Sequence, residues 1–171
     1  MILPFSIQMN GKPTYFVEKI LNGLAKNNLI TRQEWSYRMN PPPLVKYPTA
    51  YGFIFNQTID LKPKLHTFRE DKNDRWQVGI KIDFFINCRQ KDMFRFAPVL
   101  PVVSIQKMEI VYDKVFGKTI HPDILIDDVR LHPMKLDDLA LNDGFDTIED
   151  FFAYFNEDFK GKIIHWTGLR Y

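Results

Sequence analysis

Within "RWQVGIKIDFFIN", residues 75 to 87, the apolar side chains of Trp76, Val78, Ile80, Ile82, Phe84 and Ile86 alternate without a break. Period-two spacing puts all six on one face of an extended chain, so a strand over 76–86 is predicted, with Gly79 a bulge or bend. The polar turn "CRQKD" separates it from "MFRFAPVLPVVSI", where Phe94 and Phe96 restart the alternation before Pro98 and Pro101 interrupt it. This reads as a long hairpin with a kinked second strand. "KMEIVYD", "ILIDDVRL" and the terminal "GKIIHWTGLRY" supply further strands. Asp127 and Asp128 in the second of these read as a turn, because neighbours on a strand face opposite ways. So many short, bent strands favour a β-barrel core, since closing a sheet hides its edges.

Helices flank this core. In "TYFVEKILNGL", Val17, Ile20, Leu21 and Leu24 recur at helical spacing, giving a helix over 14–24. Thr31 and Glu34 stand in capping-box register and predict a second, short helix that ends before the three prolines of "NPPPL". Residues 25 to about 60 then form a long, irregular or partly helical excursion, of the kind that tends to be functional. Near the other end, Ile148, Phe151, Phe152 and Phe155 mark an amphipathic helix over 147–155, with Asp146 and Glu149 as its capping box. Asp143, in the turn just ahead, is expected to lie against that helix's N-terminus, where backbone N–H groups favour a carboxylate.

At 171 residues and 45% apolar content the chain has the size and the means to bury the core of one domain. Cys88, the single cysteine, cannot form an intrachain disulfide, which points to a reducing compartment. The opening "MILPFSIQMNGK" lacks a basic segment and a sufficient apolar run for a signal peptide, and no run approaches the roughly 18 to 20 residues of a membrane span. A cytoplasmic protein without a membrane partner is expected. Residues 1 to 95 carry a balance of +7 and residues 96 to 171 one of −5, so a basic face for phosphates and mutual neutralisation of the halves are both open. In the excursion, Trp35, Tyr37, Tyr47 and Tyr51 interleave with Arg32, Arg38 and Lys46, a pattern shared by base stacking with phosphate attraction and by simple packing. The four histidines, His66, His121, His132 and His165, are too scattered for a ligand set, and no metal or cofactor is expected. Glycine-rich phosphate loops and nucleophile elbows are missing from the sequence, which argues against nucleotide-triphosphate hydrolysis and serine-hydrolase chemistry.

Read alone, Lys64, Thr67 and Arg69 of "KPKLHTFRED" fit the solvated side of an edge strand. That stretch, however, resembles the Lys-x-x-Thr-x-Arg signature of the ASCH domain family. "RWQVG", "LALNDGF" followed by an aromatic-rich helix, "IIHWT", and the opening "ILPF" with "FVEKILNGL" are similar to further family segments in the same order. The resemblance implies an α+β fold, a small PUA-like β-barrel flanked by α-helices, as a single domain over 1–171 with an insertion at about 25–60. It implies binding of RNA or a modified nucleoside. It also implies a metal-independent alternative, hydrolysis of N4-acylated cytidine, with Lys64 as base, Thr67 as nucleophile and Asp143 standing where those enzymes carry a glutamate. Arg69, His66, Trp35, Tyr37 and Arg38 are the binding candidates. A protein-interaction module using the aromatic insertion is the third reading.

Overall fold

A computed structural model describes residues 1–9, 11–39, 61–112, 114–115, 118–119 and 122–171. In chain order the strands are β1 (Ile2–Pro4), β2 (Gln8–Met9), β3 (Lys12–Pro13), β4 (His66–Arg69), β5 (Lys81–Ile86), β6 (Phe94–Arg95), β7 (Leu100–Pro101), β8 (Ser104–Val111), β9 (Lys114–Val115), β10 (Lys118–Thr119), β11 (Asp123–Ile126), β12 (Val129–Arg130) and β13 (Phe159–His165). The α-helices are α1 (Phe16–Lys26), α2 (Arg32–Arg38), α3 (Leu136–Asn142) and α4 (Ile148–Tyr154). The fold is α+β, and its Cα positions group into two compact units. Met1–Leu65 with Ile80–Pro101 make the first, and His66–Gly79 with Val102–Tyr171 the second. Among the described residues no sheet closes into a barrel and no helix is long and apolar enough to cross a membrane.

In the first unit β1 pairs in parallel with β5, and β6 and β7 pair antiparallel with β5. The predicted hairpin is thus real, but its second strand is broken in two between Arg95 and Leu100, where Pro98 lies, while Pro101 stays within β7. Phe5 stacks on Phe84 at 6.0 Å, and Phe96 meets both rings edge-on. Leu3, Ile82, Ile86 and, from α1, Ile20, Leu21 and Leu24 complete this core. The strand is shorter than its alternation. Gly79 takes φ +86°, a value that L side chains rarely adopt, and the regular strand starts only at Lys81. Trp76 is buried nonetheless, within a loop, while Val78 is exposed. The Thr31 capping box of α2 is complete in both directions.

The second unit is built on a five-stranded sheet of order β12-β11-β8-β13-β4. Asp127 and Asp128 both take positive φ and form the two-residue turn between β11 and β12, as read from sequence. Met108, Ile110, Ile124, Ile126 and Ile163 are buried. Phe151 and Phe155 of the α4 segment pack edge-on against Phe68 of β4. The N-cap of α4 is Thr147, whose hydroxyl accepts from the Asp150 N–H, one residue beyond the expected Asp146. Thr147 wins because its side chain reaches the N3 amide from an extended backbone. Helix α3 has no counterpart in the sequence reading. It ends in a Schellman turn, with Gly144 at φ +91° and N–H bonds from Gly144 to Leu141 and from Phe145 to Ala140.

The loop after β4 is tied to β13 by one lysine. Lys162 donates to Asp71 at 2.9 Å, to the Trp76 carbonyl at 2.8 Å and also to Asp74. Asp71 in turn accepts the N–H groups of Arg75 and Trp76, at 2.9 and 2.7 Å. Burial alone would raise the Asp71 carboxyl, but the Trp76 N–H, Lys162 and the Arg75 N–H reverse this and hold it below the ordinary carboxylate value. The Asp71 side chain is only 1% exposed, so Lys162→Met leaves a buried carboxylate without its cation. A loss of about 3 kcal/mol in unfolding free energy is expected, to be read by urea denaturation. A loss under about 1 kcal/mol would show that the pair contributes no more than a surface ion pair.

Candidate functional site

The register of the second unit's sheet sets directly opposite one another Ser104 on β8, His165 on β13 and His66 on β4. Opposed residues share a face, so these three form a polar row across the sheet. The next row on that face, Gln106, Ile163 and Phe68, begins the apolar core. All three side chains of the polar row are buried, and His66 and His165 are 0% exposed. The solvated edge expected at β4 is therefore absent there.

Partners converge on His66. Its Nε2 lies 2.7 Å from the Tyr171 hydroxyl, which accepts from Asn142 Nδ2 at 3.0 Å. A part-buried phenol that already accepts from Asn142 can give its own proton to His66 Nε2. In that arrangement the neutral imidazole carries its proton on Nδ1, whereas a proton on Nε2 would make the phenol oxygen accept twice. Nδ1 stands 3.6 Å from Asp143 Oδ1. Asp143 is the C-cap of α3 rather than a residue at the N-terminus of α4, because the Schellman turn at Gly144 separates the two helices. A carboxylate at a helix C-terminus is disfavoured by the backbone dipoles, and here it is compensated by His66 and by Arg69. Burial pulls the Arg69 guanidinium below its ordinary value, and the charges of Asp143 and Tyr154 push it back up. Arg69 also donates to the Phe68 carbonyl at 2.9 Å.

His165 stacks edge-on against His66, at 5.3 Å between centroids. Burial lowers its pKa to about 3, with a smaller push from the charges of His66 and Arg170, so it is neutral at physiological pH. Among the described residues neither of its ring nitrogens has a hydrogen-bond partner, and neither does Ser104 Oγ.

The sequence candidates fall as follows. His66 and Asp143 come together in the second unit, and Arg69, which the pleat places on the Thr67 side of β4, feels the charge of Asp143. Thr67 is buried on β4, opposite Ile164, and the pleat turns it to the face away from His66. Lys64 belongs to the first unit, where it is buried with Nζ 4.7 Å from the centre of the Phe16 ring and 6.0 Å from that of Phe5. Its backbone is pressed on α1 at Gly23, where an added Cβ would lie 2.8 Å from the Lys64 carbonyl oxygen. Trp35 is fastened to α1 through a 2.9 Å bond to Asn22, Arg38 donates to the Phe96 carbonyl, and Tyr37 is 80% exposed. Residues 40–60, with Lys46, Tyr47 and Tyr51, lie outside the described residues. Asn142, His165, Tyr154 and Tyr171 were not singled out as site residues from the sequence. Tyr154 falls off the apolar stripe of α4, and that position was the available signal. Among the described residues no three His, Cys, Asp or Glu side chains are placed to hold a metal ion. No protein-family model, curated protein or solved structure matches the chain.

The buried neutral imidazole has a consequence for stability. The unfolded chain takes up a proton at His165 near the ordinary value of 6.5, whereas the folded chain resists it down to about 3. Falling pH therefore favours unfolding throughout that window, by up to about 1.4 kcal/mol per pH unit. Between pH 6.5 and 5, above the carboxylate range, His165→Phe is expected to flatten the pH dependence of the urea midpoint. An unchanged slope would show that His165 is not the group responsible.

Proposed function

We propose that the protein binds a modified nucleoside, free or within RNA, and that Arg69, His66, Asp143 and Tyr154 of the second unit supply contacts to it. The observation that carries this reading is the arrangement around Asp143: a buried carboxylate at the unfavourable end of a helix, facing a buried histidine and an arginine of the edge strand. Such an arrangement costs folding free energy and is typical of sites where charge is held for a ligand. Arg69 offers a planar donor fork for a phosphate or carbonyl. Asp143 accepts from the amino or imino groups of a base. Tyr154, which is 54% exposed, offers a ring face for stacking.

The balance of charge favours a nucleoside over a long polyanion. Lys162 is committed to Asp71 and Asp74, and Lys107 to Asp128. With Asp143 set against Arg69, few phosphates are to be neutralised here, and a shallow salt dependence follows. The ASCH resemblance supports the same reading, since its Thr67 and Arg69 fall on one short edge strand and its "LALNDGF" segment forms the turn that presents Asp143. The PUA-like barrel is part of this proposal. Among the described residues β4 and β12 are the two edges of the sheet, so a crystal structure of the full chain that leaves both edges unpaired would refute the barrel and leave the nucleoside reading to the titrations below.

Isothermal titration of nucleosides and of a short single-stranded RNA, at 50 and 200 mM salt, tests the reading. Arg69→Ala and Tyr154→Ala are each expected to weaken binding about tenfold, in keeping with the roughly 1–3 kcal/mol of a stacked base. A single phosphate contact should give a log–log salt slope of about −0.7. Absence of binding to every nucleoside and to RNA at low salt would refute the proposal. Release of acetate from N4-acetylcytidine that disappears in Thr67→Ala would assign hydrolysis instead.

A further inference from the structure

Tyr171 is held in an unusual way for an aromatic side chain. Its hydroxyl is bonded by His66 and Asn142, and its ring lies 5.4 Å from the His66 ring and 6.2 Å from that of His165. Its backbone is bonded on both sides by one buried side chain. The Tyr171 N–H donates to Gln106 Oε1 and Gln106 Nε2 donates to the Tyr171 carbonyl, each at 3.0 Å. Gln106 Nε2 also reaches Asp127, which pairs with Arg170 at 3.6 Å. The segment that carries the ring leaves β13 through a bend. Gly168 is exposed, and nothing lies within 4 Å of where its Cβ would stand.

The recess around the ring is therefore polar, with imidazoles and amides where a structural tyrosine would meet aliphatic carbon. The ring does not satisfy it. Both nitrogens of His165 and the hydroxyl of Ser104, side chains at least nine-tenths buried in the same row, have no hydrogen-bond partner among the described residues. Buried polar groups of this kind call for a partner, which water or a bound molecule supplies.

We propose that Tyr171 is a resident competitor: its ring occupies the recess of His66, Asn142 and His165 that receives a single six-membered heterocycle, and a ligand must displace residues 168–171 to bind. This rests on the nucleoside reading above and adds its regulation. The size of the occupant selects a pyrimidine over a bicyclic purine. The polar groups select an edge with a donor beside an acceptor: His66 Nε2 accepts, as it does from the phenol, and Asn142 Nδ2 donates. Uracil offers N3–H next to a carbonyl, and cytosine its amino group next to N3. The remaining polar atoms of such a ring can reach His165 or Ser104, which the phenol leaves unmatched.

The test uses the full chain as wild type, Tyr171→Ala and Tyr171→Phe, with folding checked by circular dichroism and thermal midpoint, and with uridine and 4-methylphenol as calorimetric probes. Tyr171→Ala is expected to bind uridine about tenfold more tightly than wild type, the gain from removing a competitor that closes the site roughly nine-tenths of the time. It is also expected to take up 4-methylphenol, which wild type does not. Tyr171→Phe keeps the ring and the packing but loses the phenol bonds, and should tighten uridine about fivefold, the weight of one hydrogen bond. If folded Tyr171→Phe binds uridine no better than wild type, the proposal falls, whether or not Tyr171→Ala folds. Uptake of 4-methylphenol by Tyr171→Ala without tighter uridine binding also overturns it, because the recess then fits only its own tyrosine. In either case the wild-type and Arg69→Ala titrations still decide the nucleoside reading by themselves.

Discussion

Strand β13 is hydrogen-bonded along both edges, to β8 over seven residues and to β4 over four, and its register decides which side chains the second unit buries together. Because side chains alternate, a slip of β13 by one residue would put Ile164 in place of His165 between Ser104 and His66. Two neighbouring residues resist that slip. At Gly161 an added Cβ would stand 2.6 Å from the Arg69 carbonyl oxygen, so β4 can end where it does only beside a glycine. Next to it, Lys162 reaches into the 71–76 loop and fixes that loop to the strand through two carboxylates and a carbonyl. Steric allowance and an ion pair thus act on consecutive residues, and the polar row is their consequence.

That row is an expensive arrangement. His165, 0% exposed, is kept neutral, and His66, equally buried, stands against a carboxylate at the wrong end of a helix. Each departure lowers the free energy of folding by an amount that apolar residues in the same positions would not, since buried polar groups lose their hydration. The apolar part of the face, Phe68 with Phe151 and Phe155 above it, offsets this through ring contacts at 5.7 to 5.8 Å. One face of one sheet therefore serves two purposes. Its middle stabilises the unit, and its end holds the buried polar row.

The first unit makes a different choice. Its core is a cluster of phenylalanines, and Lys64 lies with its ammonium near two of them, Phe5 and Phe16. An ammonium near a ring face gains from the quadrupole while its stem is buried as hydrocarbon. The contact between the Lys64 backbone and α1 relies on Gly23, which is a packing residue of the helix. Helix α1 runs past it to Lys26.

Local patterns in the sequence determined a good deal. The Thr31 box of α2, the amphipathic α4 segment, the Asp127–Asp128 turn and the alternation that becomes β5 rest on interactions within a few residues of each other, and these are legible without knowing the fold. Period alone did not reveal that Gly79 would stop the strand, because a positive φ is one of several conformations open to glycine. The motif around Thr67 drew attention to His66, Arg69 and Asp143, of which His66 and Asp143 lie 3.6 Å apart. It did not give their arrangement. Asn142, His165 and Tyr171 reach His66 from a helix, a neighbouring strand and the segment after β13, which lie 76, 99 and 105 residues away in sequence. Strand register and the Schellman turn at Gly144 bring them together, and both are settled by packing and hydrogen bonds between distant segments, which no local pattern encodes.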